Sequence, residues 1–361
     1  MRFASLLLAS ASLATAATAQ NLLYDNGPLV THPGGGSGGA DASALDNTQP
    51  QPYLNIYGYG SQRTATVNNW VCDDFHSCGA IVNELEFFGY QTGSGNIPTI
   101  NAVYVQIWDG DPSRGGTPNL VWGDTTTNRL TTAAWSGIYR TLIGDFATAT
   151  GRPIMSLKCA VPGLNLPPGQ FWVQWQYGGT TASGPWCPPV TILGRPRTGD
   201  GRQFIGATPL WQDLLDGITT PVGQAVPFKV YGVATSVPSM ATLYGAAKVG
   251  TNGLPVFASN RPFTGMWNYE FRISNGVAGA APVMLLGTSR LNFVLPGIGT
   301  LLVNPLVTFG ISPFDATNVS RTFLDLPPIC SGPLDLQAIW ADAGAAGGIC
   351  HTEGLELFIG N

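Results

Sequence analysis

Glu84 and Glu86 stand at i, i+2 in Asn83-Glu84-Leu85-Glu86-Phe87. On an extended strand such residues share a face, which puts the two carboxylates about 7 Å apart. Carboxyl pairs at separations of this order hydrolyse glycosides, one as acid and the other as nucleophile or base. A solvated strand face, with Leu85 and Phe87 turned to a core, is the better reading, because nothing nearby in sequence supplies a substrate cleft. Asp73 and Asp74 are adjacent, so a regular strand points them to opposite faces and away from any common substrate atom. Asp109 and Asp111 flank Gly110 in a fragment of calcium-loop spacing that has too few oxygen ligands for a whole loop. A turn whose Asp accepts backbone N–H groups is favoured there. Calcium is the one cofactor these residues suggest, with Asp109 and Asp111 its first choice.

The histidines, His32, His76 and His351, lie in unrelated segments, and nothing in the sequence places one of them as the base of a hydrolytic triad. Ser37 satisfies G-x-S-x-G within a glycine run, but that motif activates serine only on a tight strand-to-helix turn, and no strand or helix pattern flanks it. The cysteines, Cys72, Cys78, Cys159, Cys187, Cys330 and Cys350, are even in number and read as disulfide partners in an exported chain. Short loops close at lower entropic cost, which favours Cys72–Cys78, Cys159–Cys187 and Cys330–Cys350 among the possible pairings. Metal binding by Cys72 to Cys78, or by Cys350-His351-Thr352-Glu353, is the less favoured use, since no second Cys/His pair has matching spacing.

Flat aromatic rings are the remaining chemistry. Tyr104, Trp108, Trp122, Trp172, Trp186 and Trp211 fall on outward strand positions or in loops, where rings stack on sugars or pack against a partner. They are the candidate ligand-binding residues; cover by a second sheet or by the N-terminal arm is the alternative.

The elements that must position these groups read as strands. Val103, Val105 and Ile107 alternate with Tyr104, Gln106 and Trp108, and Phe171, Val173 and Trp175 alternate with Trp172, Gln174 and Gln176. Both are expected to be half-buried antiparallel strands. Tyr269, Phe271 and Ile273, then Leu355, Leu357 and Ile359, repeat the pattern. Only 10% of residues are charged, against about a quarter in typical domains. The net charge is −5 and Lys is confined to positions 158, 229 and 248, which excludes a nucleic-acid footprint. Arg2, an apolar run from Ala4 to Leu13 and Ala17-Thr18-Ala19 have the layout of a secretory signal peptide over residues 1–19. No stretch is long enough for a membrane-spanning helix. A glycine-rich arm over 20–66, a first sandwich over 67–232, a linker over 233–239 and a second sandwich over 240–361 complete the expected organisation.

Tyr24-Asp25-Asn26-Gly27-Pro28, Asp73-Asp74-Phe75, Phe87-Phe88-Gly89-Tyr90-Gln91-Thr92-Gly93 and Ile107-Trp108-Asp109-Gly110-Asp111-Pro112 form one familiar set. Leu336-Gln337-Ala338-Ile339-Trp340-Ala341-Asp342 followed by Gly354-Leu355-Glu356-Leu357 forms another. Both resemble exported bacterial proteins of unassigned function built from β-sandwich modules. The resemblance implies export and an all-β fold, and no activity. Cys72 stands where such proteins carry a small residue, which the resemblance turns into support for a local Cys72–Cys78 bond.

The expectation is therefore an all-β chain of two tandem antiparallel β-sandwich (jelly-roll-like) domains, secreted or at the cell surface. Its expected role is non-catalytic binding of a polysaccharide or matrix component. A glycoside hydrolase using Glu84 and Glu86, and a purely structural envelope component, are the rivals.

Overall fold

The structure is a computed structural model that describes residues 21–48, 52–64 and 66–361. The expected signal peptide, residues 1–19, lies outside the described residues. Within them the chain is all-β, with single 3-10 turns at Ser37–Gly39 and Ala346–Gly348 and no α-helix. No described helix is long and apolar enough to cross a membrane.

Two long strands, Trp70–Gly89 and Pro153–Gly179, form the axis of a ten-stranded sheet. They pair antiparallel from Val71 opposite Trp175 to Gly89 opposite Met155. At the Val71 end, Arg202–Ile205 with Leu210–Asp213 adds to one side, and Ile100–Trp108 with Leu120–Asp124 to the other. At the Gly89 end the neighbours are Phe228–Ala234, with Asn21–Asp25 outside it, and Leu130–Leu142, which takes Asp41–Leu45 in parallel.

The sequence pattern leads one to expect short strands, and these two are long because they bend without ending. Their register slips between Val82 and Glu84. Gly79 has φ +106°, in the region that favours glycine, and a Cβ there would lie 2.8 Å from Thr235 Oγ1. The result is a curled sheet. Phe87 and Trp175 belong to opposite ends of the paired strands, yet their ring centroids are 4.7 Å apart. A flat sheet would hold them several tens of Å apart, at roughly 3.3 Å per residue.

Curling also changes which faces are buried. Val103, Val105 and Ile107 are buried as their alternation implies. Phe171, Val173 and Trp175 are buried too, but so are Trp172, Gln174 and Gln176, which the alternation alone turns outward. Gln176 Nε2 donates to Asn68 Oδ1 at 2.8 Å, so the loop that leads into the Trp70–Gly89 strand covers that face.

The arm is part of the sheet. It supplies two of the strands, and its glycine run folds into turns through Gly36 N to Ala40 O and Gly34 N to Asp41 Oδ1, both 2.7 Å. Ser37 sits in the resulting 3-10 turn, without a strand-to-helix elbow.

Residues from 240 onward form a sheet ordered Met240–Tyr244, Gly354–Ile359, Ser331–Ala341, Val283–Leu295, Gly299–Gly310, and a three-stranded sheet of Val256–Ser259, Tyr269–Ser274 and Ser320–Leu324. Phe271 and Ile273 from the second, with Met284, Leu336, Trp340 and Leu357 from the first, join one apolar cluster. That cluster continues into the first sheet, where the Tyr24 and Phe263 rings lie 5.9 Å apart. Residues 233–239 are pinned: Val233 and Ala234 end a strand, Thr235 N donates to Gly79 O, and Asn361 N donates to Val237 O.

The cysteines correct the expected pairings. Cys78 is bonded to Cys330, with Cα atoms 5.8 Å apart, and Cys72, Cys159, Cys187 and Cys350 are buried free thiols. Cys72 and Cys78 lie on one strand six positions apart, an extended reach of roughly 20 Å that no disulfide spans. Cys350 Sγ instead donates to Lys248 O, at 2.9 Å. Burial pushes the Cys350 thiol up to about 11 and raises Cys159 and Cys187 as well, so these thiols are poor nucleophiles. His351 is equally committed. Its Nε2 accepts Thr300 N at 3.2 Å and its Nδ1 lies 3.0 Å from Thr352 O, which leaves no nitrogen for a metal.

Candidate functional site

A cleft of about 570 Å³ is lined by residues 56–60 and by Gln203, Gln212, Asp213 and Leu215. Gln203 and Gln212 are cross-strand partners, so their side chains share a face. Gln212 Nε2 donates to Gln203 Oε1 at 3.1 Å, and Gln203 Nε2 donates to Gly60 O at 2.8 Å, tying the two linings together.

The 56–60 segment is held by two buried charges. Arg140, 1% exposed, donates to Tyr57 O and Ile56 O, each at 3.0 Å, and to Thr191 Oγ1 at 2.7 Å. Burial lowers its guanidinium to about 10, still charged at neutral pH. Asp216 accepts Asn55 N at 2.9 Å and Gly217 N at 2.7 Å. The Tyr57 ring lies 3.7 Å from the Arg152 guanidinium. Tyr59 is 6% exposed, and its buried hydroxyl has no hydrogen-bond partner among the described residues. The cleft thus presents the Tyr57 ring, one face of it covered by Arg152, and the Gln212 amide, over a Tyr59 hydroxyl that is buried and has no partner among the described residues.

Asp213 connects the cleft to charges behind it. Arg202, 5% exposed, lies 3.3 Å from Asp213, 3.4 Å from Asp111 and 3.6 Å from Asp200. Beyond it, oxygens of Asp73, Asp74 and Asp200 gather within 4.8 Å of one another. The expected divergence of Asp73 and Asp74 is therefore corrected. Asp73 folds back on its own backbone and accepts Asp74 N at 3.0 Å, Asn26 Nδ2 at 2.8 Å and Val226 N at 2.9 Å. Asp74 accepts Gln170 Nε2 at 2.6 Å. Burial first, then the neighbouring carboxylates, raises Asp73 well above the usual range, and burial raises Asp74 to about 6. If any described carboxylates hold a cation, the geometry favours these three over the calcium-like pair. Asp109 accepts Asn119 N at 2.6 Å, while Asp111 accepts Ser113 N at 2.8 Å and pairs with Arg114 and Arg202.

Glu84 and Glu86 share a face, as their spacing implies, and both are occupied. Lys158 Nζ donates to Glu84 at 3.1 Å, and Glu86 accepts Ser156 Oγ at 2.5 Å and Tyr231 OH at 2.7 Å. Neither lines the cleft. Of the aromatics, Trp172 is buried under Arg202, Tyr104 is covered by Arg63 and Trp122 by Arg129. Trp108 and Trp186 are half-buried, the latter donating to Ser183 Oγ. Trp211 packs against Phe204 on the opposite strand face from Gln212. Sequence reasoning missed the cleft residues Tyr57, Tyr59, Gln203, Gln212 and Asp213. The Tyr57-Gly58-Tyr59-Gly60 alternation, exceptional in a polar arm, is the signal that points to them.

Compared with protein-family models, with curated proteins and with solved structures, the chain finds no match in any of the three.

Proposed function

We propose that this is an exported, non-catalytic binding protein that takes a neutral saccharide in the Tyr57–Gln212 cleft. The observation that carries the reading is a preorganised cleft lined by two tyrosines and two hydrogen-bonded amides, with one carboxylate that is ion-paired. The volume falls within the roughly 300–1,000 Å³ of small-molecule sites, and tyrosine rings offer apolar area beside a polar handle. Sugar hydroxyls both donate and accept, which matches amide and phenol partners better than ions. Hydrolysis is disfavoured because a glycosidase uses two carboxyls, whereas Asp213 is the one carboxylate in the lining and is paired with Arg202. Export rests on the signal-peptide layout, and the Cys78–Cys330 bond is consistent with it.

Affinity electrophoresis in gels containing neutral polysaccharides, with a parallel reducing-sugar assay, tests this. The wild type is retarded without sugar release, and Tyr57→Ala or Gln212→Ala loses at least about tenfold in affinity, the scale of one lost hydrogen bond or ring contact. If Trp122→Ala abolishes retardation while Gln212→Ala does not, binding lies on the sheet-edge aromatics and the cleft reading fails.

A further inference from the structure

Asp25, Lys229 and Glu86 stand in one row across three neighbouring strands. Asp25 is opposite Lys229, and Lys229 is opposite Glu86. Residues directly opposite in an antiparallel pair point to the same face, with Cβ atoms about 4.5–5.5 Å apart. Lys229 Nζ lies 3.6 Å from Asp25 Oδ2. Phe88 borders the row, 5.8 Å from Lys229 Nζ and 6% exposed, and opens onto a small apolar cluster with Leu29, Tyr90, Ile138 and Ile154. Glu86 is itself 8% exposed and fixed by Ser156 and Tyr231. An amine and a carboxyl in contact, 31% and 27% exposed, with a second carboxylate opposite the amine on the next strand and apolar surface alongside, are the components of amide formation.

We propose that Lys229 and Asp25 become joined by an isopeptide bond, with Glu86 as the proton carrier. The Lys229 ammonium first gives a proton to the Asp25 carboxylate, leaving a neutral amine and a carboxylic acid. Burial raises the Asp25 carboxyl, against Lys229 and the Gly27 N–H, which lower it, with Glu86 adding least to the rise; the net direction is upward and favours the protonated form. The amine nitrogen attacks Asp25 Cγ, and the new C–N bond forms as the carbonyl electrons move to oxygen. Glu86 takes a proton from that nitrogen and returns it to the hydroxyl, which departs as water when the carbonyl re-forms. One C–N bond replaces one C–O bond, no oxidant or reductant takes part, and both side chains end uncharged. The ion pair holds Lys229 Nζ 3.6 Å from an oxygen of the carboxyl it attacks, close to the separation that intramolecular reactions exploit. The product would fasten the outermost strand of the sheet, Asn21–Asp25, which otherwise holds by backbone pairing on one side alone. This inference does not rest on the saccharide reading.

Intact-mass spectrometry of the denatured protein tests it. The wild type is expected one water lighter than its sequence mass after the disulfide is counted, and proteolysis yields one branched species carrying Asp25 and Lys229. Lys229→Arg keeps a cation beside Asp25 and is expected to restore the full mass, as is Glu86→Gln. A wild-type protein of full mass, with Asp25 and Lys229 in separate linear peptides, overturns the proposal.

Discussion

At the scale of the residue, partnerships decide what each chemical group can do. The shared face of Glu84 and Glu86 is legible in their spacing, but their partners Lys158, Ser156 and Tyr231 arrive from strands distant in sequence. The Asp73–Asp74 convergence is not legible, because it depends on Asp73 bending back to its neighbour's N–H. Asp335 is the most exposed to test. It is fully buried, and apart from the Tyr244 hydroxyl beside it neither carboxylate oxygen has a hydrogen-bond partner among the described residues. Burial raises its pKa, with Glu356 adding to the effect and Tyr244 and Arg290 opposing it. A carboxyl raised on folding is harmless below its unfolded value of about 3.9 and destabilises the fold increasingly as pH climbs from there to the native value, above which the cost is constant. Asp335→Asn should therefore raise stability at pH 7 by about 1–2 kcal/mol, the scale of a buried polar group short of partners. In thermal melts that gain should vanish near pH 3.5. An equal gain at both pH values would show that charge is not its cause.

At the scale of the element, alternation locates strands well and their lengths poorly. Ile100–Trp108, Tyr269–Ser274 and Gly354–Ile359 bury the residues that period two selects. The two longest strands escape because glycine reads as a stop, whereas here it bends a strand that continues. Gly79 has the positive φ and the Thr235 contact that demand glycine, while Gly144 has neither. Gly79→Ala should cost about 1–3 kcal/mol in urea unfolding and Gly144→Ala close to nothing. Equal losses would mean that the bend at Gly79 does not depend on its backbone conformation.

At the scale of the whole molecule, the cores on either side of residues 233–239 are continuous, and Cys78–Cys330 crosses between them. Sequence proximity could not find that bond, because it joins positions 252 apart. Closing so long a loop contributes up to about 5 kcal/mol on the chain-entropy account. Cys330→Ser should lower the melting temperature to that of the reduced wild type, whereas Cys159→Ala should remain sensitive to reductant. Scarcity of charge, legible from composition alone, takes on a location: the cleft is lined by amides and phenols, and its single carboxylate is matched by Arg202. Isothermal titration of wild type and Tyr57→Ala with a neutral oligosaccharide tests this most directly. The account predicts saturable binding by the wild type, weakened at least about tenfold by the substitution, on the scale of a lost ring contact. Equal affinity in the two proteins would contradict it.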